Sequence, residues 1–500
     1  MCRTVKAETN REKLTGAFFG YIMELAWNDA FFVDNFGDRD WAEVSTVQRS
    51  GHLGLNKVLR SPDIDFLVSP YAYAFRGLGG DCLPMQPTET VRAHGKLYLL
   101  EEDTLMHNNF DPGGRMHPTS RSLAIYQRNF AQVLTHGIGI TWLENFEHQE
   151  DPAIEAEVRP WYRCFQEIGT WALGLDRRPL SEVAVVLDDE SYFYEGNRNH
   201  IDLQAIWYQK VISLNRFGAP HDVFLLDDLL DPVVRPAPRS PAGSASAGRD
   251  GGVPQPHKLY VFLNAFHLND ARRQALHARL AREHATALWL YAPGYINADA
   301  EPTISTANMT QLTGFYFGLG KSYWAMQMHA TDFTHPITEK VDQDLFWGSS
   351  RVLAPIFHLE DPDATVLGEV IYGLGRCRPG LGVKTINAGS PAEAWTSIYL
   401  ATPNVPPQLL RGIARFAGVH LYSEAGDVLY ATPDLLSVHT VAGGERTFKL
   451  PREVEVVYDL YHAQVLQRDT AQFCVKLPPA SSALYYAGDA SRLDSLKIPN

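Results

Sequence analysis

Short apolar runs alternate with longer segments of helical period along the first 175 residues of the chain. Residues 47–59 and 119–134 carry apolar side chains at helical spacing, whereas the runs between such segments are short enough to be strands. Strands that alternate with helices at this spacing predict a parallel sheet. The four predicted strands cover residues 14–25, 65–71, 94–104 and 137–144.

The same alternation returns between residues 176 and 428, where it predicts an open, doubly wound α/β sheet. Helices are predicted over 203–217 and 407–416. Residues 234–256 are rich in Pro, Gly, Ala and Ser, and this composition predicts a flexible surface insertion. The predicted strands cover residues 183–189, 222–226, 259–264, 287–291, 396–400 and 419–422.

The final segment, residues 429–500, loses the helical period. Short alternating runs at 454–458 and 472–477 predict a small antiparallel β domain. Because 500 residues exceed the size of an ordinary single domain, we expect three domains, over residues 1–175, 176–428 and 429–500.

Composition narrows the class of protein. The formal net charge of −14 argues against a nucleic-acid-binding protein, which needs a basic face to neutralise phosphates. The five cysteines lack metal-ligand spacing, so neither a zinc site nor a disulfide framework is expected. No apolar run is long enough to span a membrane, and no signal-peptide core is present near Met1, so the sequence favours a cytoplasmic location.

Three consecutive carboxylates, Glu101, Glu102 and Asp103, end the third predicted strand. In a (β/α)₈ barrel the carboxyl ends of the strands carry the catalytic groups. A carboxylate at that position can act as a nucleophile or an acid/base toward a glycosidic bond. The alternative is a helix N-terminus, where acidic residues complement the helix dipole.

The chain resembles the β-galactosidases of glycoside hydrolase family 42 and their relatives, through residues 14–21, 61–66, 69–73 and 94–104. The resemblance implies that the four predicted strands are strands five to eight of a (β/α)₈ TIM barrel. It also implies that residues 176–428 form a trimerisation domain with a glutamine-amidotransferase-like α/β fold, and that the tail is the family's C-terminal β domain.

The same resemblance implies the functional residues. Glu101 would be the catalytic nucleophile of a retaining β-galactosidase, with Glu102 as the nearest competitor. The substrate would be a terminal β-linked sugar, the chemistry would need no cofactor, and the protein would be a homotrimer. Residues expected to line the sugar site are Tyr71, Tyr73, Trp142 and Glu144.

One element of the family pattern is not found. A retaining glycosidase needs a second carboxylate roughly 5 Å from the nucleophile, and in the family it follows an Asn at the end of the fourth strand. No Asn-Glu pair fits that position, although Glu24 or Glu144 could substitute as the acid. The sequence thus predicts that the first half of the barrel is missing, through truncation, supply by a partner chain, or loss of catalysis. A non-catalytic carbohydrate-binding or assembly subunit is the competing hypothesis.

An amidotransferase-like domain invites a search for a nucleophile on a sharp turn after a strand. After the predicted strand at 287–291 the chain continues Ala292-Pro293-Gly294-Tyr295, without Cys or Ser. The second domain is therefore expected to be structural.

Overall fold

A four-stranded parallel sheet forms the first layer of the molecule in the computed structural model. Its strands are β1 (Gly16–Phe18), β2 (Phe66–Pro70), β3 (Leu97–Glu102) and β4 (Gly139–Trp142), in the order β1-β2-β3-β4. All neighbouring pairs are parallel, as the alternation of apolar runs predicted. The residues described are 1–23, 51–71, 73, 76–103, 119–142, 152–176, 180–196, 205–206, 209–210, 213–230, 256–320, 324–349 and 351–497.

In the described residues five helices accompany this sheet, with one before β1 and the others between or after the later strands. Helix α4 starts where the sequence predicts it. The helix predicted over 47–59 forms only from Leu55, as α2, because residues 51–54 are a turn and irregular chain, while 47–50 lie outside the described residues. The helices are α1 (Cys2–Glu8), α2 (Leu55–Leu59), α3 (Thr88–Ala93), α4 (Thr119–His136) and α5 (Pro152–Ala172).

The two faces of the first sheet differ in burial. Leu67, Tyr98 and Leu100 are almost completely buried on the face that packs against the helices. On the other face Phe18 and Leu97 are 54% and 56% exposed. Phe66, Val68 and Leu99 on this second face are only half-buried, and we call it the open face.

A nine-stranded mixed sheet forms the second layer. Its parallel part has the order β6-β5-β7-β8-β15, and β14, β13, β10 and β11 extend it with antiparallel pairing. The strands are β5 (Val183–Leu187), β6 (Asp222–Leu225), β7 (Leu259–Phe262), β8 (Thr286–Leu290), β10 (Gln327–Ala330), β11 (Trp347–Gly348), β13 (Thr365–Tyr372), β14 (Arg376–Ile386) and β15 (Trp395–Leu400).

The parallel part of this sheet agrees with the sequence, and the antiparallel part corrects it. Strands β5, β7 and β8 are buried throughout, as expected of parallel strands covered on both faces. The strand predicted at 419–422 does not form; that segment is irregular, and the Tyr422 backbone N–H donates to the carbonyl of Gly218 instead. Of the predicted insertion at 234–256, residues 234–255 lie outside the described residues.

Shorter elements complete the second layer. Strands β9 (Phe317–Gly320) and β12 (Ile356–Leu359) pair antiparallel as a separate ribbon. The helices are α6 (Leu226–Leu230), α7 (Asp270–Glu283), α8 (Thr306–Thr313) and α9 (Pro407–Phe416). No helix in the described ranges is long and apolar enough to cross a membrane.

The tail forms a five-stranded antiparallel sheet, as its alternating runs predicted. The order is β16-β17-β20-β18-β19, and the Ser482 hydroxyl of β20 donates to the carbonyl of Ala124 in α4. The tail sheet therefore packs against the helical side of the first layer. Its strands are β16 (Val428–Ala431), β17 (Leu435–Thr440), β18 (Gly444–Asp459), β19 (Gln464–Leu477) and β20 (Ser481–Gly488).

Buried polar contacts join the first layer to the second. Asp228 of α6 accepts hydrogen bonds from Thr90 of α3 at 2.5 Å and pairs with His94 Nε2 at 2.8 Å. The side chain of Asp228 is 5% exposed and that of His94 is fully buried. Because a buried polar group is costly unless it is hydrogen-bonded, these contacts fix the mutual position of α3 and α6.

A second contact lies at the start of α2. Asp189, which follows β5 after one residue, accepts the backbone N–H groups of Gly54 at 3.3 Å and Leu55 at 3.0 Å. Burial raises the pKa of Asp189 to about 6 despite these two hydrogen bonds. The carboxylate therefore costs free energy in the folded state at neutral pH, although it satisfies two backbone donors.

We expect the Asp189→Asn variant to change the pH dependence of stability. A folded-state pKa of about 6 lies above the ordinary value of 3.8, so the stabilisation from protonating Asp189 is complete below pH 3.8 and lost as the pH rises through 6. The free energy of unfolding of the native protein, relative to Asp189→Asn, should fall by about 2 kcal/mol between pH 4.5 and 7.5. Urea unfolding followed by circular dichroism at several pH values measures it. A difference that stays constant with pH would contradict the assignment.

Candidate active site

The alternation of side chains along β3 separates its two glutamates. In the parallel register Glu101 lies beside Pro70 and Thr141, while Glu102 lies beside Trp142. Glu101 is partly exposed, whereas Glu102 is only 1% exposed. Since neighbouring residues of a strand point to opposite faces, Glu101 belongs to the open face and Glu102 to the helical face.

Glu102 is held inside the protein by neutral hydrogen-bond donors. Its Oε1 accepts from Asn129 Nδ2 of α4 at 2.8 Å and from the Tyr71 hydroxyl at 3.4 Å. Tyr71 itself has no exposed surface. The pair therefore lies behind the sheet, on the side of α4, and not on the surface that Glu101 borders.

Arg76 organises the loop beside Glu101. Its Nη2 pairs with a carboxylate oxygen of Asp103 at 2.8 Å, and its Nη1 donates to the Asp103 carbonyl at 2.9 Å. The guanidinium carbon lies 4.1 Å from the ring centre of Tyr73 and 4.6 Å from that of Tyr71. Stacking between two aromatic rings and bonding at two points of one residue hold this guanidinium in one orientation.

The charges of this cluster act on Glu101 and on the neighbouring phenols. Burial and the nearby Asp103 carboxylate raise the pKa of Glu101, whereas Arg76 opposes that rise. Burial and the carboxylates of Glu101 and Asp103 raise the pKa of Tyr21 to about 12. Burial and the charge of Asp103 also raise the pKa of Tyr73. Both phenols are therefore protonated at neutral pH; Tyr73 uses its proton in a hydrogen bond to Asp103, and Tyr21 is a potential donor beside Glu101.

Tyr21 is supported from the segment before α2. Its ring stacks on His52 with a centroid distance of 4.2 Å and an interplanar angle of 18°. His52 Nδ1 accepts the backbone N–H of Gly20 at 3.1 Å, and burial lowers the pKa of His52. A neutral imidazole therefore fixes both the ring of Tyr21 and the chain that leads to it.

The structure brings only some of the expected residues together. Tyr73 lies with Glu101 near Asp103, but Trp142 is on the helical side of the sheet. There the centre of its ring lies 5.3 Å from that of Tyr126 and 5.7 Å from that of Phe165. Trp142 is paired with Glu102 in the sheet, so the two side chains point to the same face. Glu24 and Glu144, the two other residues expected at the site, lie outside the described residues.

Three residues of the cluster were not singled out from the sequence: Tyr21, His52 and Arg76. Tyr21 ends the first motif that carries the family resemblance, and Arg76 follows Tyr73 after two residues. Neither position has a spacing that marks it as functional, because the contacts join separate segments. Among the described residues, no group of three His, Cys, Asp or Glu side chains could hold a metal ion.

The pKa of Glu101 should shift in opposite directions in two variants, and this tests the arrangement of Glu101, Asp103 and Arg76. Replacing Asp103 by Asn removes a negative charge and should lower the pKa of Glu101, whereas Arg76→Gln removes a positive charge and should raise it. We expect two pKa shifts of opposite sign. Carbon-13 NMR titration of the glutamate carboxyl groups, with Glu101→Gln to assign the signal, measures both. Shifts of the same sign in the two variants would disprove the arrangement.

Solved structures of β-galactosidases are similar to this chain. The enzyme from Bacillus circulans sp. alkalophilus matches with a TM-score of 0.53 and 13% identity, over 87% of this chain and 65% of its own. A catalytic mutant of Gan42B, a glycoside hydrolase family 42 β-galactosidase from G. stearothermophilus, matches with a TM-score of 0.51 and 10% identity, over 87% and 60%. The β-galactosidase from Rahnella sp. R3 matches with a TM-score of 0.51 and 13% identity, over 85% of this chain and 60% of its own.

The chain thus spans about two thirds or less of the length of these proteins. No family model and no curated protein sequence matches it. The structural likeness extends over most of this chain although the identity is low. The protein therefore has a fold similar to part of the glycoside hydrolase family 42 β-galactosidases.

Proposed function

We propose that this protein is a glycosidase of the retaining β-galactosidase type and that Glu101 is its nucleophile. In this proposal the four-stranded sheet is the second half of a (β/α)₈ barrel, and its open face is the barrel interior. The observation that carries the proposal is the placement of Glu101 on the open face, at the carboxyl end of β3, where such barrels bind substrate. The fold of the solved β-galactosidases agrees with it.

The proposed chemistry begins with attack of the Glu101 carboxylate on the anomeric carbon. The new carbon–oxygen bond replaces the glycosidic bond, and the leaving oxygen takes a proton from a general acid. Water then cleaves the glycosyl-enzyme and restores the carboxylate. Asp103 is bound by Arg76 and Glu102 faces α4, so neither of these neighbours suits the acid/base role.

The neighbouring groups have distinct proposed roles. The phenol of Tyr21 donates a hydrogen bond to the sugar or to the Glu101 carboxylate, whereas that of Tyr73, which bonds Asp103, lines the sugar site. Arg76 limits the rise in the pKa of Glu101 and so favours the ionised nucleophile at neutral pH. Tyr71 acts from behind, since its hydroxyl bonds Glu102 and its ring supports Arg76. No step in this scheme uses a cofactor.

The second layer has a proposed role in assembly. Its parallel strands have the order β6-β5-β7-β8-β15, which suits the glutamine-amidotransferase-like α/β fold that the sequence resemblance implies. We extend the proposal to a homotrimer formed through this layer. Sedimentation velocity distinguishes a trimer from a monomer directly.

A fluorinated substrate analogue tests the nucleophile. We expect dinitrophenyl 2-deoxy-2-fluoro-β-galactoside to add one fluorosugar to the intact protein, because its activated leaving group hardly needs a general acid. Peptide mapping by mass spectrometry should place the label on Glu101. Labelling of Glu101→Gln should be slower on the order of a thousandfold or more, since the amide is a poor nucleophile.

The adjacent glutamate provides the matched control. Glu102→Gln keeps an oxygen that accepts from Asn129, and it should be labelled at the native rate. A label on Glu102, or equal labelling of both variants, would contradict the proposal. If a folded native sample takes no label from either the galacto or the gluco analogue, the chain is a non-catalytic binding or assembly subunit.

A further inference from the structure

A cavity of about 460 Å³ opens at the carboxyl end of β8, in the second layer. It lies among the turn after β8, the short helix at Ser191–Tyr194, and the segment 352–355. Its volume falls within the range of about 300–1,000 Å³ typical of small-molecule sites. None of the residues of the Glu101 cluster lines it.

The topology of the sheet explains why space remains there. In parallel sheets ligands bind outside the carboxyl ends of the strands, beside the point where the strand order reverses. Here the order reverses between β5 and β7, and Asn264 fills that crevice by bonding the backbone N–H and carbonyl of Asp188. The free volume lies beside the filled crevice, over β8.

The turn after β8 forms one wall of the cavity. Tyr291, its first residue, has a φ of +63°, a left-handed conformation that is strained for a large side chain. Its hydroxyl donates to the carbonyl of Pro355 at 2.7 Å and thereby joins two walls of the cavity. Because this proton points to Pro355, the phenol oxygen can still accept a hydrogen bond from a ligand.

A second wall is held by aromatic stacking. The ring of Tyr194 lies 4.0 Å from that of His267, with an interplanar angle of 14°. Burial lowers the pKa of His267, so the imidazole is uncharged at neutral pH. The wall is therefore formed before any ligand binds, which reduces the entropy lost on binding.

The lining determines the chemistry of a ligand. Aromatic and aliphatic side chains dominate it, and among the described lining residues Glu195 is the only one that carries a charge. An anion would have to leave water for these apolar walls in a protein of net charge −14, and both are unfavourable to it. Residues that contribute apolar surface are Phe266, Tyr295, Ile296, Ile304, Val352 and Leu353.

We propose that this cavity is a binding site for neutral aromatic compounds that carry a hydroxyl group, such as naphthols. The ring system occupies the apolar volume, and the hydroxyl donates to the phenol oxygen of Tyr291. The site requires no chemistry at Glu101 and is independent of the proposed glycosidase activity.

Isothermal titration of the full chain with 2-naphthol tests the proposal. We expect saturable binding at one site, and no binding of the anion naphthalene-2-sulfonate. Val352 is 53% exposed at the rim, so Val352→Asp should fold and should weaken 2-naphthol binding by about tenfold or more. Leu374→Asp, at a position 94% exposed and outside the cavity, is the control and should bind as the native protein does.

Four outcomes would overturn the site. They are the absence of saturable binding, equal loss in both variants, equal affinity for the sulfonate, and dissociation of an oligomer by Val352→Asp in sedimentation velocity. The last result would show that a second copy of the chain, and not a small molecule, covers this region.

Discussion

Two neighbouring carboxylates on one strand must point in opposite directions, and the organisation of the candidate site follows from this constraint. Strand β3 presents Glu102 to α4, where Asn129 bonds it, so Glu101 is directed to the open face. The same alternation takes Tyr71 and Trp142 to the helical side. The burial of one face of the sheet thus decides which acidic group lies on the open face.

Tyr71, which is buried behind the candidate site, supports the residues around Glu101. Tyr71 contacts Glu102 through its hydroxyl and Arg76 through its ring, so one residue supports groups on two sides of the strand end. Arg76 in turn fixes Asp103, whose charge acts on Glu101. The electrostatic environment of Glu101 therefore depends on packing that lies out of contact with solvent.

The two layers of the protein are joined by polar contacts of different character. Asp228 is deeply buried and bonded by Thr90 and His94, which makes the junction at α3 specific. Asp189 bonds the start of α2 but is destabilised as a carboxylate, because burial raises its pKa. The segment that carries His52 therefore leads into a helix whose first turn is tied to the second layer.

The sequence by itself determined the four parallel strands, the parallel core of the second sheet and the antiparallel tail, because burial of apolar residues imposes periods that a chain displays locally. It also indicated Glu101 as the first residue of an acidic strand end. Only the tertiary structure assigned Glu101 and Glu102 to different faces. It also brought Arg76 and Tyr21 to that strand end. These contacts join segments distant in the chain, and no local pattern encodes which side chains meet when separate strands and loops pack together.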